Sequence, residues 1–133
     1  MHDEPGKVSR WSNQDNDAFY TEIGVPGIAQ VAHKAGLVEG CDAKCLRPYW
    51  MHAQDLLDVG SGFGRVVQAL LSQGFQGNIT AVERNAEFFA YMLQQFGGCV
   101  QNIQADTHEL SALDVRFDTI LFLWSGLADF AQS

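Results

Sequence analysis

Residues 56–65 read LLDVGSGFGR and set Gly60, Gly62 and Gly64 at alternate positions behind Asp58, with Ser61 between the first two glycines. Glycine tolerates backbone angles closed to other residues and lets a ligand approach the main chain without meeting a side chain. A turn of this kind can cradle a phosphate, hold a nucleoside or simply reverse the chain. The spacing is GxGxG, followed by Arg65 and Val66, rather than the GxGxxG of a dinucleotide fingerprint. Asp58 closes an apolar run, and a carboxylate there needs donors from loop amides or from a ligand. Two more acids follow apolar runs in the same way: Glu83 in AVERN and Asp106 in ADTHEL. Glu83 stands where a carboxylate can accept both hydroxyls of a ribose. Taken singly, each acid also reads as a helix cap or a solvated loop residue; with the glycine turn, the set points to a nucleoside.

These groups need a scaffold, and the hydrophobic pattern from Gln54 onward supplies one. Residues 55–59 form a short apolar run with the length of a buried strand, and Phe63, Val66, Val67, Leu70 and Leu71 then recur at helical spacing. A second strand is expected over 79–83, followed by an amphipathic helix bearing Phe88, Phe89, Met92, Leu93 and Phe96 with Asn85 as its cap. A third strand is expected over 100–103, a short helix or turn over 107–113, and a fourth strand over 117–123 (FDTILFL) apolar enough to be covered on both faces. Strands alternating with helices at this spacing imply right-handed crossovers and a parallel sheet. Upstream, residues 1–16 read as a polar arm. A first helix capped at Asp15, Asn16 or Asp17 carries Phe19, Tyr20 and Ile23 and stops at Gly24 and Pro26. A second helix runs from Pro26 to Gly36, and a short third lies within 42–52, limited by Pro48.

With 133 residues the chain suffices for one compact core. Hydrophobic residues make up 47% and charged residues 18%, a globular rather than a disordered composition. Sixteen acids against eight basic residues give a net charge of -8, which argues against nucleic acid or an anionic membrane as a partner. No apolar run has the length of a membrane span, and MHDEPGKVSR lacks the core of a signal peptide. Three cysteines, an odd number, fit reduced thiols and a cytoplasmic location. Cys41 and Cys45 lie four apart with His33 and His52 at a distance, but without ligand spacing, so no metal site is expected; Cys99 reads as a small buried hydrophobe.

LLDVGSGFGR, AVERN, ADTHEL and FDTILFLW together resemble the class I S-adenosylmethionine-dependent methyltransferases over roughly residues 54–126. The resemblance implies an α/β fold: a Rossmann-like doubly wound parallel sheet with strand order 3-2-1-4, truncated after the fourth strand. The cofactor-binding domain would occupy residues 54–133, preceded by a polar arm and helical cap over residues 1–53. It implies that Asp58 with Gly60, Ser61, Gly62 and Gly64 holds the methionine end of S-adenosylmethionine, that Glu83 binds the ribose, and that Asp106 with Thr107 contacts the adenine amine. Arg84 would border the adenine. Trp124, followed by Ser125, would by position face the methyl group, or Trp124 would serve as a core anchor; no (Asp/Asn)-Pro-Pro-(Tyr/Phe) signature is present there.

The expected activity is methyl transfer to a small-molecule acceptor. A sulfonium donor already carries an activated methyl group, so much of the acceleration is positional and no acid and base pair needs to stand out. His33, His52 and His108 are the base candidates by type. Tyr20 and Trp11 are placed to close over a cofactor or to pack into the core. A non-catalytic nucleoside-binding or interaction module on this fold stays open as an alternative, and a nicotinamide-dependent oxidoreductase is disfavoured by the glycine spacing. The family's sheet has seven strands, so the fourth strand would be an apolar edge. The chain is therefore expected to be a fragment of a longer protein or to complete its sheet by self-association along that edge.

Overall fold

The computed structural model describes residues 12–123. Its elements are α1 (Asn13–Lys34), α2 (Cys41–Cys45), α3 (Arg47–Trp50), β1 (Asp55–Val59), α4 (Arg65–Ser72), β2 (Asn78–Glu83), α5 (Ala86–Phe96), β3 (Gln101–Gln104), a 3-10 turn over Thr107–Ala112, and β4 (Thr119–Leu121). The four strands form one parallel sheet in the order β3-β2-β1-β4. This is the doubly wound, Rossmann-like arrangement, with the order reversing beside β1.

Alternation along the strands splits the core between the two faces of the sheet. Leu56 of β1 and Ile79 and Ala81 of β2 pack with Val67 and Leu70 of α4 and Met92 and Phe96 of α5. On the other face Leu57, Val59 and Val82 meet Leu110 and Phe117 from the β3–β4 connection. Ala43 and Trp50, from the helical segment before the sheet, belong to the first of these clusters. The Trp50 indole N–H donates to the Ala43 carbonyl at 2.8 Å, and its ring meets Phe75 edge-on at 5.8 Å.

Several boundaries differ from the pattern reading. The N-cap of α1 is Ser12, not Asp15, Asn16 or Asp17: Ser12 Oγ accepts from Asp15 N–H at 3.1 Å, while Ser12 N–H donates to the Asp15 carboxylate at 2.9 Å. Asp15 thus takes the N3 place of a capping box, which puts the helix start three residues earlier. Its two expected helices form a single run broken at Gly24, whose φ of 67° and ψ of 174° leave the helical region. The segment after Gly40 is two short helices, because Pro48 sits in the first turn of α3, where its missing N–H costs nothing. β3 begins at Gln101 rather than Val100.

β4 covers only Thr119–Leu121, and Ile120 is 52% exposed, so the expected burial on both faces does not hold among the described residues. Leu121 points into the core shared with α4 and α5, whereas Ile120 points to the opposite face, where the β3–β4 connection does not reach it. Among the described residues β4 pairs with β1 alone. Its start is held by Asp118, which accepts from the amides of Gln54 and Asp55 at 2.7 and 3.0 Å. Cys99, expected to be buried, is exposed at the end of α5. Trp11, Trp124 and Ser125 lie outside the described residues.

Candidate functional site

At the carboxyl ends of the strands lies a cleft of about 290 Å³. Asp58, Gly60, Ser61 and Gly62 line it from the end of β1, Glu83 and Arg84 from β2, Asp106 from beyond β3, and Leu123 from beyond β4. The opposite wall comes from α1 through Asn16, Phe19, Tyr20, Ile23, Ile28 and Val31. Three acids widely separated in sequence therefore share one sheet edge, because parallel neighbours end in register and present their following residues side by side.

The glycines divide into two kinds. Gly60 and Gly62 have φ of 71° and 58°, and a Cβ built on either meets nothing within 4 Å. Both therefore border open space in which a ligand can touch the backbone. Gly64 has φ of 87° as the N-cap of α4, and a Cβ there would lie 2.4 Å from a Phe96 ring carbon and 2.8 Å from Met92 Sδ. It packs α4 against α5 and does not line the cleft. Gly64→Ala combines left-handed strain with overpacking, for which we expect a loss of about 2–3 kcal/mol. Thermal and urea unfolding measure this, and a variant as stable as the wild type would refute the packing role.

Backbone donors in the loop are mostly committed. Gly60 and Ser61 N–H both donate to the Val82 carbonyl, at 2.9 and 3.1 Å, and Gly64 N–H donates to the Ser61 carbonyl at 2.9 Å. Gly62 N–H donates to Glu83 Oε2 at 2.8 Å. A phosphate cradle requires such amides to point at the anion. Here they tie the loop to β2, and the cleft beyond carries three carboxylates, so the turn is unsuited to a pyrophosphate.

Asp58 is 2% exposed, and its Oδ2 has no hydrogen-bond partner among the described residues. Burial pushes its carboxyl up to about 7, against the lowering influence of the Arg65 charge, while Glu83 and Asp42 add to the rise. Such a group calls for a cationic or hydrogen-bond-donating partner in the cleft. Ser61 Oγ is likewise buried without a partner. Glu83 is raised by burial, opposed by the amides of Asn85 and Gly62; the Asn85 N–H donates to Oε1 at 3.1 Å. A carboxylate has about four acceptor positions, so these two bonds leave capacity for hydroxyls. Asp106 sits 3.8 Å from Arg84 and at the start of the 3-10 turn, where its N–H donates to Glu109 at 3.4 Å. Thr107 begins that turn beside it.

Two features of the site go beyond the residues read from the sequence. Arg65, 5% exposed and on the cleft wall, makes a two-pronged pair with Asp42 of α2 at 2.7 and 2.8 Å. A buried guanidinium needs an acid, and Asp42, from the helical segment before the sheet, supplies it. Asn85 caps α5 as expected, accepting from Glu87 and Phe88 N–H at 3.0 and 3.1 Å. Its side-chain NH2 also reaches Asp17 and Thr21 of α1, which chain position gave no means of foreseeing. His33, His52 and His108 are exposed and off the cleft wall. Among the described residues no cluster of His, Cys, Asp or Glu is arranged to hold a metal ion, and no helix is long and apolar enough to cross a membrane.

A parallel sheet with the order 3-2-1-4 and a glycine turn after its first strand defines a domain of the Rossmann-like class. A family model described as a methyltransferase domain matches residues 56–132, more than half of the chain, and the chain belongs to that family. Among solved structures it is similar to the plantazolicin methyltransferase BamL, at 17% identity and a TM-score of 0.63, over 91% of this chain and 49% of that one. It is also similar to CalS10, an amino pentose methyltransferase from Micromonospora echinaspora, at 23% identity and 0.55, over 73% and 43% of the two chains. A third relative is the glycopeptide N-methyltransferase MtfA, at 23% identity and 0.52, over 66% and 43%. The chain thus spans about half the length of these structures or less, and the likeness is one of fold. No curated protein matches the chain.

Proposed function

We propose that the cleft binds S-adenosylmethionine and serves methyl transfer to a small-molecule acceptor. The observation that carries this is the buried Asp58 carboxylate, with an unpartnered oxygen, beside the open ground in front of Gly60 and Gly62. An ammonium group on an amino-acid tail satisfies that oxygen and repays its desolvation. Glu83, already oriented by the Gly62 and Asn85 amides, presents its remaining acceptor positions to ribose hydroxyls. Asp106 with Thr107 accepts an adenine amine, and Arg84, held near Asp106, borders the ring. Gly64 and Arg65 act one step away, the first by seating α4 and the second by placing positive charge near Asp58. Trp124 is assigned to the methyl end by family position alone.

When bound, the cofactor supplies a methyl group activated by its sulfonium. The chain's contribution is to bind, orient and exclude water: Asp58 and Glu83 fix two ends of the ligand, while Phe19, Tyr20 and Ile23 of α1 close an apolar wall over it. Three free cysteines support placing the protein in a reducing cytoplasm.

A second reading, a nucleoside-binding module without turnover, is favoured by one observation: none of the three described histidines suited to act as a base lines the cleft. Calorimetry with S-adenosylmethionine, S-adenosylhomocysteine and NAD, followed by turnover on amine, hydroxyl and thiol acceptors, separates the two. Binding of NAD but of neither sulfur nucleoside would sink the methyltransferase reading, and binding without turnover on any acceptor would favour the second. Glu83→Gln leaves one acceptor oxygen where two amides already compete, so we expect S-adenosylhomocysteine to bind about tenfold more weakly. Unchanged affinity would remove Glu83 from the ribose.

A further inference from the structure

We infer that the first half of α1, residues 13–23, is a hinged cover over the cleft, held shut by a hydrogen-bond latch at Asn85; its bearing on ligand exchange rests on the cofactor reading above. Asn16, Phe19, Tyr20 and Ile23 all lie on this half and form a wall of the cleft facing Asp58 and Glu83. A ligand seated on those acids faces this half-helix across the cleft. Movement of the half-helix widens that side of the cleft.

The hinge is Gly24. Its φ of 67° with ψ of 174° is a combination essentially confined to glycine. Pro26 follows two residues later, and lacking an N–H it cannot restore the helical hydrogen bond at that turn. The two halves of α1 are therefore joined through a point where helical bonding is interrupted.

The latch is the Asn85 side-chain amide. Its Nδ2 donates to Asp17 Oδ1 at 2.7 Å and to Thr21 Oγ1 at 2.9 Å, with the Asp17 carbonyl at 3.4 Å. Asp17 and Thr21 are four residues apart, so one amide spans both on the same helix face. Asn85 is 3% exposed, so losing its two acceptors on the exposed Asp17 and Thr21 would leave a buried amide short of partners. Beside the latch, Tyr20 meets Phe88 edge-on at 5.9 Å and Phe19 edge-on at 5.4 Å. Asn85 also donates its backbone N–H to Glu83, so the latch and the acid assigned to the ribose share one residue. Closure of the cover and seating of a ligand on Glu83 are thereby mechanically linked.

Asp17→Ala with Thr21→Val removes both side-chain acceptors of the latch without touching the α5 cap. For the whole chain immobilised in a plasmon-resonance cell, we expect S-adenosylhomocysteine to dissociate about tenfold faster from this variant, with association no slower. Asp17→Asn keeps the Oδ1 acceptor and should stay within about twofold of the wild type. Without ligand, amide hydrogen exchange should show protection lost over residues 13–23 and retained over 28–34. An unchanged dissociation rate in the folded double variant overturns the cover, as does unchanged protection of 13–23. Failure of the unaltered chain to bind S-adenosylhomocysteine, with the exchange pattern as expected, overturns the cofactor reading and leaves the hinge and latch supported.

Discussion

Asp58→Asn is expected to weaken S-adenosylhomocysteine binding about a hundredfold at pH 8 while leaving the unliganded fold at least as stable as the wild type. The two effects have one origin. Asp58 is 2% exposed with an oxygen that no group among the described residues satisfies, so its ionised form is costly until a ligand ammonium arrives. Removing one partner of a buried charge pair costs about 2–5 kcal/mol, and an asparagine that still accepts one hydrogen bond should fall near the lower end. In the absence of ligand, the same substitution removes a desolvated charge.

The pH dependence has a definite sign. In the unfolded chain an aspartate titrates near about 3.9, whereas burial holds Asp58 at about 7. Between those values the native state keeps a proton that the unfolded state has lost, so the Asp58 contribution makes stability fall as pH rises from about 4 to 7 and level off above. Glu83, also raised by burial, acts in the same direction; Asp42, held down by Arg65, opposes it, since its contribution is lost as pH falls. Urea unfolding of wild type and Asp58→Asn at pH 5 and pH 8 isolates the Asp58 share. Affinity has the opposite slope: the ligand ammonium favours the carboxylate, so wild-type binding should tighten as pH rises toward 7, and the variant should lose that trend. Equal affinities at pH 8, or an equal pH trend, would take the cationic tail away from Asp58.

Trp50→Ala is expected to cost about 3–5 kcal/mol and to lower the midpoint of thermal unfolding by more than about 10 °C. Trp50 is 1% exposed and precedes the first strand, yet it packs in the cluster that contains Leu56, Leu70 and Ile79. Its removal opens a cavity between the helical segment and the sheet and leaves the Ala43 carbonyl without its indole donor. Calorimetric melting measures the effect. A shift below about 2 °C would mean that the helical segment does not share the core of the sheet. With the expected shift, a chain begun at residue 54 should fail to fold as a stable unit.

Much of the scaffold was legible because it is local. The apolar run before Gly60, the helical recurrence of Val66, Val67 and Leu70, and the Asn85 cap depend on residues within a few positions of one another. The acids after the second and third strands could be placed at the cleft because parallel strands bring their carboxyl ends together. Boundaries failed where one local signal outbid another: Ser12 displaced Asp15, Asn16 and Asp17 as cap because Asp15 suits N3 better than N-cap. β4 departed from its expected burial because apolar composition does not say whether a neighbouring layer reaches a given face, and at Ile120 none of the described residues does.

What the sequence by itself determined was the order of strands and helices, the position of the glycine turn and the alignment of Asp58, Glu83 and Asp106 along one edge, since periodicity and strand succession carry that information. Tertiary structure alone decided what those residues are free to do. It spent the amides of Gly60, Ser61 and Gly62 on Val82 and Glu83 and left Asp58 Oδ2 unpartnered. It also set Gly64 against Phe96 and joined Asn85 to Asp17 across 68 residues of chain. The physical reason is that a hydrogen-bond donor or a buried charge is satisfied by whatever the fold brings within about 3 Å, and that partner is chosen by packing rather than by distance along the chain.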